Sequence, residues 1–136
     1  QRGLSSFSML ASLLFVLLLL SSTVSSDSGC FWLGSGPVCL PDECPEGTTE
    51  IARAEKAMNK FAYFGGGCTF WTKKRLCCKN SVVRADPNRH CSLCTGCERK
   101  CPAGQEFIFE QYYYNFFKDN TPYDSFCCNK GTLVFN

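Results

Sequence analysis

Histidine is almost missing from this chain: His90 is the only one in 136 residues. A histidine-rich metal site is therefore excluded. A Cys-His or Ser-His-Asp mechanism would rest on that one ring and would need a free nucleophile beside it. No glycine-rich phosphate loop occurs, because Gly65-Gly66-Gly67 lacks the following lysine and helix. No pair of carboxylates stands out for glycoside hydrolysis, and no N-x-S/T sequon offers a glycan acceptor. Apolar runs are equally scarce. Only Met9 to Leu20 is long, and its twelve residues make about 18 Å of helix, short of the roughly 30 Å hydrocarbon core. Small residues follow, with Val24 and Ser26 placed for signal-peptidase cleavage before Asp27. Residues 1–26 are thus expected to be a signal peptide, whose removal leaves no stable membrane span. These absences predict a protein that is not an enzyme and carries no cofactor.

Cysteine is what the chain has in abundance. Its twelve cysteines make up about 11% of the 110 residues after the leader, past the roughly 8–10% at which a short secreted chain reads as a disulfide scaffold. An exported chain meets oxidising conditions, so all twelve are expected to pair. Charge is divided by segment. Residues 27–50 sum to −5, 51–72 to +2, 73–100 to +6 and 101–136 to −2. The basic middle (Lys73, Lys74, Arg75, Lys79, Arg84, Arg89, Arg99, Lys100) could meet an anionic extracellular polymer, but it is offset by the acidic first segment. A mature sum of +1 by itself names no partner, and no nucleic-acid partner is expected.

The cysteines fall into two sets of six. The first is Cys30, Cys39, Cys44, Cys68, Cys77 and Cys78; the second is Cys91, Cys94, Cys97, Cys101, Cys127 and Cys128. Cys44-Pro-Glu-Gly parallels Cys101-Pro-Ala-Gly, and each half closes on a vicinal pair, Cys77-Cys78 and Cys127-Cys128. Cys68 has no counterpart in the second half. The pattern predicts a diverged tandem repeat: a first module over 27–79, a linker over 80–90 and a second module over 91–136. Adjacent cysteines in a strand point to opposite faces, so each member of a vicinal pair is expected to find its own partner. Six cysteines allow 15 connectivities per half, and the spacing does not choose among them. Units of about 50 residues have little core, and covalent links are expected to replace it.

The expected fold is small, disulfide-rich and mainly β, each module carrying a hairpin that ends in its vicinal pair. In the second half, Glu106 to Phe117 reads as a strand, Lys118 to Pro122 as a turn, and Tyr123 to Cys128 as the returning strand. In the first, Thr49 to Ala54 and Arg75 to Lys79 would match. Ile51, Ala54, Met58 and Phe61 also share one helical face, which predicts a rival short helix over Glu50 to Phe61. Thr132 to Phe135 suggests a terminal strand. Trp32 and Trp71 are expected to pack on disulfides.

Cys30-Phe-Trp-Leu-Gly-Ser-Gly-Pro-Val-Cys39, Cys44-Pro-Glu-Gly, Gly67-Cys68 and Cys77-Cys78 together resemble a small secreted module of uncharacterised extracellular proteins. Its pattern is C-x-W-x-G-x-x-P-x-C, C-P-x-G, C and C-C. The resemblance spans residues 30–79 and implies an extracellular disulfide module with no established activity. This chain departs from it by a long insert between Glu55 and Gly67. The second half shares only the Cys-Pro start and the closing pair.

Two sets of residues carry functional expectations. Cys91, Cys94, Cys97 and Cys101 have the C-x₂-C-x₂-C-x₃-C-P spacing of a bacterial [4Fe–4S] run, and a structural zinc is a second use of the same thiolates. Export, the lack of a second run and the repeat relation of Cys101 to Cys44 favour disulfides instead. Phe107, Phe109, Tyr112, Tyr113, Tyr114, Phe116 and Phe117 form the densest aromatic cluster. A strand there has aromatics on both faces, and a small domain buries one of them. The other is expected to bind an extracellular protein or glycan. A defence peptide or toxin acting on membranes or channels is the alternative, although a charge of +1 is low for membrane disruption.

Overall fold

The computed structural model describes residues 28–59, 61–112 and 123–135. The expected signal peptide and the expected turn at 118–122 lie outside them. Among the described residues, seven strands and one short helix make a small, mainly β, disulfide-rich fold. Strands β1 (Cys30–Leu33), β2 (Thr48–Ala54) and β4 (Lys74–Lys79) form an antiparallel sheet in the order β1-β4-β2. Strands β3 (Ala57–Met58), β5 (Cys91–Cys94), β6 (Gln105–Tyr112) and β7 (Tyr123–Asn129) form a second, in the order β3-β6-β7-β5. Between them lies α1 (Pro87–His90), capped by Asp86, whose carboxylate accepts from Asn88 N.

The halves repeat one another in register. Cys30 stands opposite Cys78 and is bonded to it; Cys91 and Cys128 do the same. The other member of each vicinal pair reaches the Cys-Pro start, as Cys44–Cys77 and Cys101–Cys127. This is the division of partners that opposite-facing neighbours require. In each half a β-turn follows the Cys-Pro start, with Thr48 N donating to Pro45 O and Gln105 N to Pro102 O, both at 3.1 Å. Gly47 (φ 82°) and Gly104 (φ 83°) sit third in these turns, where a side chain would be strained. One extra residue then bulges each strand, Ile51 in β2 and Ile108 in β6. The bulge lets Ile108 and its neighbour Phe109 both face inward, where regular pleating would alternate them.

The helix over Glu50 to Phe61 is overturned: that stretch is β2 through Ala54, then β3. Its alanines favour a helix locally. Pairing of β2 along the central strand β4, with Cys44 bonded to Cys77 at that strand's far end, outweighs the local preference. The terminal strand reduces to one bridge, Leu133 to Val83.

The disulfides stay within the halves, whereas the core crosses between them. Trp32 packs edge-on against Phe64 (4.8 Å) and Phe109 (5.3 Å), and Phe109 stacks on Phe126 (4.9 Å). Phe61 stacks on Phe135 at 4.6 Å. β3, from the first half, pairs with β6 of the second. Among the described residues no helix is long and apolar enough to cross a membrane.

Candidate functional site

The aromatic residues expected to form the binding face separate in the structure. Phe109 is fully buried in the core, so its ring serves packing and is not part of an exposed face. Its inward placement follows from the bulge at Ile108. Phe107 is partly exposed and lines a groove of about 420 Å³, with Met58, Phe61 and Ile108 as the other apolar walls. Arg99 and Glu110 border the same groove, Nε donating to the buried Oε2 at 2.6 Å. Tyr112 is half-buried; its hydroxyl donates to that same carboxylate at 3.2 Å, and burial raises its pKa. Tyr113, Tyr114, Phe116 and Phe117 lie outside the described residues.

Among the described residues, the most exposed cluster of large apolar side chains lies elsewhere. The chain around Cys39 and the chain around Cys68 approach each other as two loops and are joined by the Cys39–Cys68 disulfide. Thr69 donates to Pro37 O through its N–H (2.7 Å) and its hydroxyl (2.9 Å). Cys39 N donates to the Thr72 hydroxyl (2.9 Å), and Thr72 N to Thr69 O (3.1 Å). A Cβ on Gly36 would lie 2.7 Å from Gly67 O, so the close approach of the chains needs glycine there. The clamp carries Val38, Leu40, Phe70 and Trp71 on its outside. Leu40 is 80% exposed, Phe70 78% and Trp71 88%. Trp71 was expected on a disulfide; it projects into solvent, while Trp32 packs on Phe64 and Phe109.

Phe70 (φ 56°) and Trp71 (φ 58°) are both in the left-handed region. Bulky residues rarely adopt it, at a cost of about 1–3 kcal/mol each. Hiding these rings would at least return hydrophobic free energy. Here the backbone is strained and the rings remain in water, held by the disulfide and the Thr69 and Thr72 hydrogen bonds. Positive φ recurs at Glu98 and Arg99, but only at Phe70 and Trp71 does it coincide with large rings left in water, which makes this tip the candidate site.

A cleft of about 420 Å³ runs beside Trp71, lined by Leu40, Pro41, Arg53, Lys73 and Arg75. Glu50 spans two of these cations, accepting from Arg53 Nε at 2.6 Å and Arg75 Nη1 at 2.9 Å. The hydrogen bond from Arg53, aided by the charges of both guanidinium groups, holds the Glu50 carboxyl below its ordinary 4.5. Lys74, on the same strand but turned inward, donates from Nζ to Phe64 O at 2.5 Å and lies 4.6 Å from the Phe64 ring centre. Burial lowers its pKa. It ties the glycine loop to the sheet behind the clamp.

The Glu50 cluster makes a pH prediction. A carboxyl with a depressed pKa binds fewer protons folded than unfolded, so its contribution is present above 4.5 and is lost as pH falls through the folded value. Both partners are partly solvated, which limits the effect to under about 1 kcal/mol. Urea midpoints should fall on acidification below pH 4.5, and fall less in Glu50→Gln. Parallel curves for the two proteins would contradict the assignment.

All twelve cysteines are bonded, and no cysteine is free. Cys91 is joined to Cys128, Cys94 to Cys97 and Cys101 to Cys127. The four cysteines of the C-x₂-C-x₂-C-x₃-C-P run are thus divided among three bonded pairs. Among the described residues no other group of His, Cys, Asp or Glu is placed to hold a metal. His90 Nδ1 lies 3.2 Å from the Asn129 side-chain amide, and its neighbour Cys91 is oxidised. No protein-family model, curated protein or solved structure matches the chain.

Sequence reasoning passed over the clamped loops. The available signal was Cys68, the cysteine without a repeat counterpart, two residues before Phe70-Trp71.

Proposed function

We propose that this is a secreted, non-enzymatic recognition protein that contacts its extracellular partner through the clamped loops bearing Leu40, Phe70 and Trp71. The observation that carries the reading is the pairing of strained backbone with exposed rings at one disulfide-bonded tip. Six disulfides are typical of extracellular proteins. Rigid presentation supports recognition further, because a preorganised loop loses little entropy on docking. Large aromatic side chains are also the usual centres of binding energy. The groove beside Phe107 is a secondary surface, partly closed by the Arg99–Glu110 ion pair.

Leu40→Ser/Phe70→Ser/Trp71→Ser tests the reading. These side chains are exposed, so the variant should keep six disulfides by mass and unfold within about 1 kcal/mol of the wild type. Labelled wild type and variant are then applied to three surfaces: an extracellular-matrix preparation, a glycan array and lipid vesicles. The variant should lose about tenfold or more wherever the wild type binds. Equal signals from the two proteins, or no wild-type signal on any of the three, would sink the proposal.

A further inference from the structure

We infer that the clamped tip seats in the interface of a lipid bilayer. This rests on the recognition reading and names the partner of the same surface. The first observation is composition. Four side chains project from the tip, and two of them, Val38 and Leu40, are aliphatic. A sugar ring stacks on aromatic faces and gains little from a leucine. The acyl–headgroup boundary accepts aromatic and aliphatic groups together, with no matching pocket, and indole is a preferred group there.

The second observation is where the polar groups point. Pro37 and Pro41 have no N–H to satisfy. The N–H groups of Cys39, Cys68, Thr69 and Thr72 all donate inside the protein, to the Thr72 hydroxyl, Glu55 O, Pro37 O and Thr69 O. The Thr69 and Thr72 hydroxyls also donate inward, to Pro37 O and Thr69 O. A segment entering a membrane must satisfy its polar backbone internally, because the hydrocarbon supplies no partners. Here those six donors are satisfied inside the protein, while the apolar side chains of Val38, Leu40, Phe70 and Trp71 are left outside.

The third observation is charge. Arg53, Lys73 and Arg75 line the cleft. Glu50 neutralises one of them, and Asp42 and Glu43 follow Pro41 directly. With Lys74, whose Nζ reaches Phe64 O behind the clamp, four cations stand against Glu50, Asp42 and Glu43, a surplus of one. A sulfated polymer would require a larger surplus of cations. A nearly neutral collar below an apolar tip fits insertion that depends little on headgroup charge.

The two tryptophans make the test direct. Trp32 is buried and Trp71 exposed, so a blue shift in emission on adding vesicles reports Trp71. The mature chain is titrated with vesicles of phosphatidylcholine, alone or mixed with phosphatidylserine, and binding is read by fluorescence and co-sedimentation. Both vesicle types should shift the emission, with partition coefficients within about threefold of each other. Leu40→Ser/Phe70→Ser, which keeps the reporter, should lower partitioning by about tenfold or more. Trp71→Phe should still sediment but show no shift, and Leu93→Ser, an exposed apolar position on β5, should match the wild type. An unshifted spectrum on both vesicles overturns the inference, as does equal partitioning by wild type and Leu40→Ser/Phe70→Ser. Binding confined to phosphatidylserine vesicles and abolished by salt overturns it too, since that is surface adsorption. Failure on vesicles with tip-dependent binding to matrix or glycan retained would remove the lipid partner and leave the recognition function standing.

Discussion

A thiol reductant under otherwise native conditions is expected to unfold the protein outright. Five of the six bridges join residues 26 to 48 apart in sequence. In the chain-entropy model each such loop contributes about 3.5–4 kcal/mol. Together they exceed the roughly 5–15 kcal/mol of net stability of ordinary domains. The aromatic core of this chain is too small to cover that loss. Near-UV circular dichroism should collapse on reduction, and a reduced chain that kept it would refute the dependence on disulfides. The bridges should also differ among themselves. Cys91→Ala/Cys128→Ala opens a separation of 37 and should cost about 4 kcal/mol, whereas Cys94→Ala/Cys97→Ala opens a separation of 3 and should cost about 2. Urea midpoints of the two double variants measure the difference.

The framework was legible in the sequence because covalent chemistry and strand geometry leave local marks. Adjacent cysteines in an extended chain cannot share one partner, and Cys77 and Cys78 go to Cys44 and Cys30 as that rule requires. The C-P-x-G starts mark turns that only glycine closes well, and both turns form. What was not legible depends on contacts distant in sequence. The apolar spacing of Ile51, Ala54, Met58 and Phe61 fits a helix as well as a strand, and only pairing with β4 decides it. The bulge at Ile108, which buries Phe109 and leaves Phe107 partly exposed, has no local signature beyond two adjacent apolar residues.

The tip was missed for a related reason. Composition ranks the stretch from Phe107 to Phe117 first because seven aromatic residues sit there within eleven positions. Density of aromatic residues measures what a segment is able to bury, not what it leaves in water. Phe70-Trp71 is only two residues, but its loop is held away from the core by a disulfide and by Thr69 and Thr72. Exposure here follows from topology, so counting rings along the chain could not find it.

The last expectation concerns the joint between the halves. Phe109→Ala removes a ring that is 0% exposed, stacked on Phe126 of its own half and edge-on to Trp32 of the other. Truncating a buried phenylalanine typically costs about 3–5 kcal/mol. The distribution of that loss tells more than its size. Were the modules independent, only the β5-β7-β6 region would loosen. But β3 pairs with β6, Tyr112 N donates to Lys56 O at 2.9 Å, and Val134 N donates to Val82 O at 2.8 Å. The Trp32 ring would also face a cavity. Amides of β2 and β4 should therefore exchange faster alongside those of β6 and β7, and the near-UV signal of Trp32 should change. Protection lost from the second half alone would mean that the covalent division, and not the shared core, sets the cooperative unit. The expected outcome makes the first half, with its clamped loops, continuous with the second half in one cooperative unit.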